Sequence, residues 1–220
     1  MNKNICIVGD SFCAYRKTER HWPYYLTKLL FPDDNDHVPL GNGFSGAGWW
    51  STRKQLIDCL NNYTPSILII IHTDPNRLWS DENYPLNSMS TYDETKKFAN
   101  NIPLGVWNAT KDYYKHLYFT PWCEWAVTQW YIELDEIISS YKTIEKVIHF
   151  YSFKYPTNKK FHTGITVSEA LFQFADDHLI GENQIVENHF TISKNKRFAE
   201  KIKLLLTNKY ATKKVSGFRL

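Results

Sequence analysis

A serine near the start of the chain stands in a setting that suits nucleophilic chemistry. Residues 5–8 form a short apolar run, Gly9 permits a sharp turn after it, and Asp10 and Ser11 favour the start of a helix. A serine at that point lies beside unpaired helix N–H groups, which can stabilise an oxyanion. The alternative interpretation is a simple strand-to-helix cap.

A histidine and a glutamate near the C-terminus can complete this chemistry. Glu187 and His189 precede an amphipathic helix with apolar residues at 198, 202, 205 and 206, and Thr191 suits its cap. A serine hydroxyl needs a base within hydrogen-bond reach and a partner that orients this base. We therefore expect Ser11 to attack a carbonyl, His189 to take and return the proton, and Glu187 to hold the imidazole tautomer.

Two further segments lie between these ends. A glycine-rich run, residues 43–50, ends in two tryptophans, and an apolar run, residues 67–71, leads into residues 72–77. In this order, and with the serine and histidine segments, they resemble the SGNH (GDSL-type) serine hydrolases. The resemblance covers both ends and the first third of the chain, but little between about 80 and 140. The serine motif and the glycine-rich run also resemble SGNH-type proteins encoded by tailed bacteriophages.

The resemblance implies an oxyanion hole and assigns its donors. These donors are the N–H groups of Ser11 and Gly46 and the side chain of Asn76. Asp10 and Thr73 are expected to line the same site.

The sequence departs from the family pattern at two places. The asparagine block is altered, so that Thr73 or Asp74 can occupy the place of the family asparagine. The family aspartate three residues before the histidine is replaced by Val186, and Glu187 stands two residues before His189. This spacing resembles a variant branch of the family, in which the carboxylate also lies two residues before the histidine.

The elements that must position these residues are strands and helices in alternation. Strand patterns fall at residues 4–8, 37–40, 66–72 and 145–151. Helical patterns fall at residues 22–31, 50–62, 126–141 and 192–202. This order predicts an α/β fold, a three-layer sandwich with a central parallel sheet of the SGNH or flavodoxin-like kind. Because ligands gather at the carboxyl ends of parallel strands, Ser11, Gly46 and Asn76 are expected at one edge.

The chain is predicted to form a single domain, residues 1–220, with an aromatic-rich helical insertion at about 80–140. The aromatic residues of this insertion, from Trp107 to Trp130, could form a stacking wall for a sugar or an acyl group. The alternative is that they pack the insertion against the sheet or a second subunit, so a homo-oligomer stays open.

Composition narrows the class of protein. The chain is 43% hydrophobic with a net charge of +3, which fits a folded domain and does not call for nucleic acid. No apolar run reaches membrane-spanning length, and a first strand by residue 4 leaves no room for an export signal. We expect a cytoplasmic protein, in the host cytoplasm if it is phage-encoded. The four cysteines are widely spaced and form no Cys-x-x-Cys pair, which is typical of reduced thiols. No metal or cofactor is expected.

The function that these features favour is hydrolysis of an ester. The expected substrate is an acyl group, such as acetyl, on a carbohydrate or another small polar molecule. One alternative is acyl transfer by the same residues, in which an acceptor alcohol replaces water. A second is a catalytically inactive binding or structural protein that keeps the fold.

Overall fold

The computed structural model describes residues 4–14, 21–34, 36–78, 86, 101–153, 161–180, 184–207 and 214–220. Within these residues the strands are β1 (Ile5–Val8), β2 (Ile67–His72), β3 (Lys146–Tyr151), β4 (Ile165–Ala170), β5 (Asp176–Ile180), β6 (Gln184–His189) and β7 (Lys214–Val215). The helices are α1 (Trp22–Leu30), α2 (Trp49–Asn62), α3 (Leu104–Asp112), α4 (Thr120–Ser140) and α5 (Ile192–Thr207). The predicted α/β fold class is confirmed.

The central sheet is parallel and has the order β1-β2-β3-β4-β7. β1 and β2 are buried along their whole length, as a parallel sheet requires when helices cover both of its faces. Alternate residues face opposite layers. Ile5 and Ile7 pack with α1 and α5, whereas Cys6 and Val8 pack with α2 and α4.

The strand predicted at residues 37–40 is reduced to one bridge, between Leu40 and Cys6. Pro39 lacks the backbone N–H that would donate a hydrogen bond to a neighbouring strand, and the chain turns at Gly41. Strand pairing is therefore limited to this bridge. β4 and the antiparallel pair β5–β6 were not predicted. The segment that carries His189 is therefore the end of a strand, not a loop.

The predicted insertion is mainly helical between residues 104 and 140, while Leu86 pairs with Leu78 in an isolated β-bridge. α4 begins at Thr120 rather than at residue 126, because Pro121 is tolerated in a first turn. Trp130 is buried in the cluster that packs on the central sheet, which confirms the packing alternative for this residue. Trp107 is buried in a separate small cluster with Leu86 and Ile102. Trp122 and Trp125 are exposed. Most of residues 80–100 lies outside the described residues.

Among the described helices, none combines the length and the apolar character needed to cross a bilayer.

Candidate active site

The turn that presents Ser11 is fixed by its neighbours in the sheet. Gly9 has φ of 147°, and a Cβ atom on it would lie 2.6 Å from both the Cβ and the carbonyl oxygen of Ile71. Only glycine fits this position without displacing β2. The Gln55 side chain braces the same residue, since its Oε1 accepts from the Gly9 N–H at 2.9 Å and its Nε2 donates to the Gly9 carbonyl at 3.0 Å.

Ser11 begins a single 3₁₀ turn, Ser11–Cys13, and not the longer helix expected from the sequence. The Asp10 carboxylate caps this turn by accepting from the Phe12 N–H at 3.1 Å. Ser11 itself is half-buried. A one-turn helix has little macrodipole, so the oxyanion donors must come from individual N–H groups around the serine.

The glycine-rich segment lies directly against the serine turn. A Cβ atom on Gly43 would come within 2.2 Å of the Asp10 carbonyl oxygen, so the two backbones are in contact. The Phe44 N–H donates to the Gly9 carbonyl at 3.2 Å and ties the segment to the end of β1. Gly46, the expected donor, is buried in the turn that follows.

Arg77, which no sequence pattern predicts as a site residue, connects three parts of this site. Its Nη1 donates to the Ala47 carbonyl at 3.3 Å and lies 3.5 Å from Oδ2 of the fully buried Asp10. Its guanidinium lies 5.0 Å from the centre of the Phe153 ring, just past β3. A buried carboxylate is costly without a cation nearby, and Arg77 supplies that cation. Asp10 thus caps the serine turn and pairs with Arg77. Because an ionised carboxylate has no proton to donate, Asp10 is not an oxyanion donor.

Asn76 is held in place by two tyrosines. The Tyr118 hydroxyl donates to Asn76 Oδ1 at 2.6 Å, and the Tyr114 hydroxyl donates to the Asn76 carbonyl. Asp74 Oδ1 accepts from the Asn76 N–H at 2.9 Å. The acceptor end of the Asn76 amide is therefore fixed on the insertion, which orients its NH₂ group away from Tyr118.

Thr73, the other expected residue of this block, is buried. Its hydroxyl oxygen has no contact with solvent and makes no hydrogen bond to any residue that the structure describes.

His189 comes to the serine turn from the opposite end of the chain. Its ring stacks on Phe12, the residue after Ser11, with ring centres 5.3 Å apart and planes at 21°. Asn195 holds this segment, since its Nδ2 donates to the Phe190 carbonyl at 2.9 Å and its Oδ1 accepts from the Trp22 N–H at 2.9 Å.

The predicted Thr191 cap of α5 is confirmed. Its hydroxyl accepts from the Lys194 N–H at 3.3 Å, in the first turn of the helix.

Two carboxylates lie near His189 along the β5–β6 hairpin. Glu187 stands on β6 itself, and its side chain lies outside the described part of the structure. Asp176 is the register partner of His189 on β5, and its carboxylate forms an ion pair with Lys194. Directly opposed residues of an antiparallel pair point to the same face, so the sheet alone permits either carboxylate to reach the ring.

Other reactive side chains near the site are buried. The Cys13 thiol donates to the Asp10 carbonyl, and burial raises its pKa well above the ordinary value, so no thiolate nucleophile forms there. His72 Nε2 lies 3.1 Å from His149 Nδ1 inside the core. Within the described ranges no cluster of His, Cys, Asp or Glu could hold a metal ion.

The structure brings together four segments that are far apart in sequence: the serine turn, the glycine-rich run, residues 72–77 and the His189 segment. Gln55 and Asn195 had a recognisable pattern, because each is a polar residue on the buried face of an amphipathic helix and must find a partner. Arg77 had no such pattern.

No protein-family model and no curated protein matches this chain. Among solved structures it is similar to a catalytic mutant of Axe2, an acetylxylan esterase from Geobacillus stearothermophilus. The two share 11% identity with a TM-score of 0.33, and the match covers 94% of this chain and 74% of that one. A likeness this distant assigns no activity to this chain.

Proposed function

We propose that this protein is a serine hydrolase that cleaves a carboxylic ester. Ser11 Oγ attacks the ester carbonyl while His189 takes the hydroxyl proton, and the same proton passes to the departing alcohol. Water then attacks the acyl-enzyme and gives a proton to His189, which passes it to Ser11 Oγ as the acyl–oxygen bond breaks and the acid leaves. Glu187 orients the imidazole in this proposal.

The oxyanion that forms in each step needs donors around Ser11. The N–H groups of Ser11 and Gly46 and the NH₂ group of Asn76 take this role in the proposal. The bound acyl group is small, such as acetyl, and the alcohol is a carbohydrate or another polar molecule.

One observation carries this proposal: the turn that bears Ser11 touches both other parts of the machinery. Gly43 contacts the carbonyl of Asp10, the residue before the serine, and His189 stacks on Phe12, the residue after it. A strand-to-helix cap needs neither neighbour. A base and a backbone-donor loop on either side of one serine suit acyl transfer chemistry.

Steady-state hydrolysis of 4-nitrophenyl acetate tests the proposal. Ser11→Ala and His189→Ala should each lower kcat by roughly 10⁴-fold, because the nucleophile and its base act as a unit. Ser139→Ala, which changes an exposed serine at the end of α4, is the matched control and should keep full activity. Full activity of Ser11→Ala would exclude the proposed nucleophile, and an inactive wild type would favour a binding protein that keeps the fold.

A further inference from the structure

An open groove lies between the first turn of α2 and the length of α4 from Trp122 to Glu136. Five tryptophans line it, Trp49, Trp50, Trp122, Trp125 and the buried Trp130, and it holds about 490 Å³. We call it the tryptophan groove. Its volume lies in the range of small-molecule sites.

The indoles of the groove are exposed to a degree that folding alone does not explain. Trp50, Trp122 and Trp125 are 41%, 58% and 52% exposed. Trp122 and Trp125 also stack on each other, with ring centres 5.0 Å apart and planes at 25°, and so form one exposed aromatic pair. Large apolar side chains gathered in one exposed depression are typical of a binding site.

Polar groups are placed among these flat faces. Gln129, Glu133 and Glu136 line the same groove and offer oxygen acceptors. Arg53 pairs with Glu133 and lies 5.1 Å from the Trp50 ring centre, which fixes one side of the groove. A hydrogen bond from Arg53 keeps the pKa of Glu133 below its usual value, so this acceptor is ionised.

This combination fits a polyhydroxylated ring better than a protein surface. The C–H face of a sugar can lie flat on an indole while its hydroxyls donate to carboxylate and amide oxygens. The buried centres of protein interfaces are depleted in carboxylates, which argues against a second copy of the chain. The acidic side chains also disfavour a polyanionic glycan through like-charge repulsion.

A short stretch of chain joins the groove to the glycine-rich segment of the candidate active site. Trp49 lies three residues after Gly46 in the chain, so their Cα atoms are at most about 11 Å apart. α2 and α4 both begin on the side of the sheet where the parallel strands end, which is the side that carries Ser11. A glycan of a few units could therefore occupy the groove and reach the serine.

We infer that the tryptophan groove binds a neutral oligosaccharide. The claim that this oligosaccharide carries the ester cleaved by Ser11 rests on the proposed function. The claim that the groove binds the oligosaccharide does not. The groove holds the glycan by stacking, and the ester on that glycan is presented to the nucleophile.

Calorimetric titration of the Ser11→Ala protein tests binding without turnover. The probes are cellohexaose, xylohexaose, mannohexaose and maltohexaose. At least one of these oligosaccharides should bind. The double variant Trp122→Ala, Trp125→Ala should weaken its affinity at least tenfold, because each lost indole removes contact area. Both indoles are exposed, so the double variant should fold. Leu204→Ala, at an exposed apolar position on α5, is the matched control and should bind like the parent.

Three results would overturn the groove assignment: no heat with any probe at 10 mM, unchanged binding by the double variant, or a dimer in sedimentation that the double variant abolishes. Wild-type hydrolysis of 4-nitrophenyl acetate separates the two proposals. Hydrolysis without glycan binding would exclude the groove as a glycan site and leave the proposed hydrolase function intact. Glycan binding without hydrolysis would exclude the hydrolase function and indicate a glycan-binding protein.

Discussion

At the scale of single residues, Arg77 shows how one side chain can set the shape of the site. It contacts the carbonyl beside Gly46, the carboxylate beside Ser11 and the ring of Phe153. Only a planar guanidinium can serve these three partners together, since an ammonium is a compact point charge.

Arg77→Lys should therefore keep the charge and lose the geometry. We expect kcat for 4-nitrophenyl acetate to fall about tenfold or more, with little change in KM, because the donor loop is displaced relative to Ser11. Arg197→Lys, at an exposed position on α5, serves as the matched control. Equal kinetics of the two variants would show that Arg77 does not position the loop.

Glu187 and Asp176 can be distinguished by paired substitutions. If Glu187 orients His189, Glu187→Gln should lose roughly 10² to 10⁴ in kcat, as the imidazole tautomer is no longer held. Asp176→Asn should stay within about threefold, because Lys194 already engages that carboxylate. The reverse pattern in kcat would assign the orienting role to Asp176. Near-normal kcat in both variants would point to a backbone carbonyl.

At the scale of elements, the site depends on two backbones in contact. The glycine-rich segment approaches the serine turn so closely at Gly43 that no side chain fits between them. This contact, rather than a helix terminus, ties the segment that carries Gly46 to Asp10, the residue before Ser11.

Gly43→Ala should separate these two backbones. A Cβ atom 2.2 Å from the Asp10 carbonyl must displace one of them, so kcat should fall at least tenfold and stability by about 1–3 kcal/mol. Gly105→Ala is the matched control, because a Cβ atom there meets nothing within 4 Å. That change lies in α3 and should raise stability by up to about 1 kcal/mol. Thermal unfolding and ester hydrolysis of both variants test this prediction. A Gly43→Ala protein with normal activity and stability would show that the site does not depend on this backbone contact.

The sequence predicts those elements whose pattern is local. The uniformly apolar run of β2, the turn at Gly9 and the Thr191 cap follow from residue types within a few positions. The β5–β6 hairpin and the short 3₁₀ turn at Ser11 depend on pairing and on Asp10 capping, which local patterns do not contain. The role of Arg77 is absent from any local pattern because its partners come from distant segments. The resemblance to phage-encoded proteins stays a prediction.

At the scale of the whole molecule, two buried histidines make the core sensitive to acid. The carbonyl of Thr163 can only accept, so His149 Nε2 donates to it at 3.0 Å, and His149 Nδ1 accepts from His72. The Phe161 ring stacks on His149 with centres 3.8 Å apart. Burial lowers the pKa of His72 well below its ordinary value and that of His149 to about 4.

The free energy of unfolding should therefore decrease as the pH falls from about 6.5 to about 4. In this window the histidines of the unfolded chain bind protons, whereas the buried histidines of the folded protein stay neutral. His149 alone accounts for a loss of about 3 kcal/mol in the free energy of unfolding. Above pH 6.5 both states are neutral at these residues and the penalty vanishes. Urea unfolding between pH 4.5 and 7.5 measures the slope, and His149→Gln should make it shallower. An unchanged slope in that variant would contradict the buried neutral pair.

Labelling with a fluorophosphonate tests the central claim, that Ser11 is an activated nucleophile, most directly. Peptide mass spectrometry of the labelled wild-type protein should find the adduct on Ser11. Ser11→Ala should not be labelled, and His189→Ala should be labelled far more slowly because the hydroxyl has lost its base. A folded wild-type protein without an adduct on Ser11, or equal labelling of all three proteins, would contradict the account.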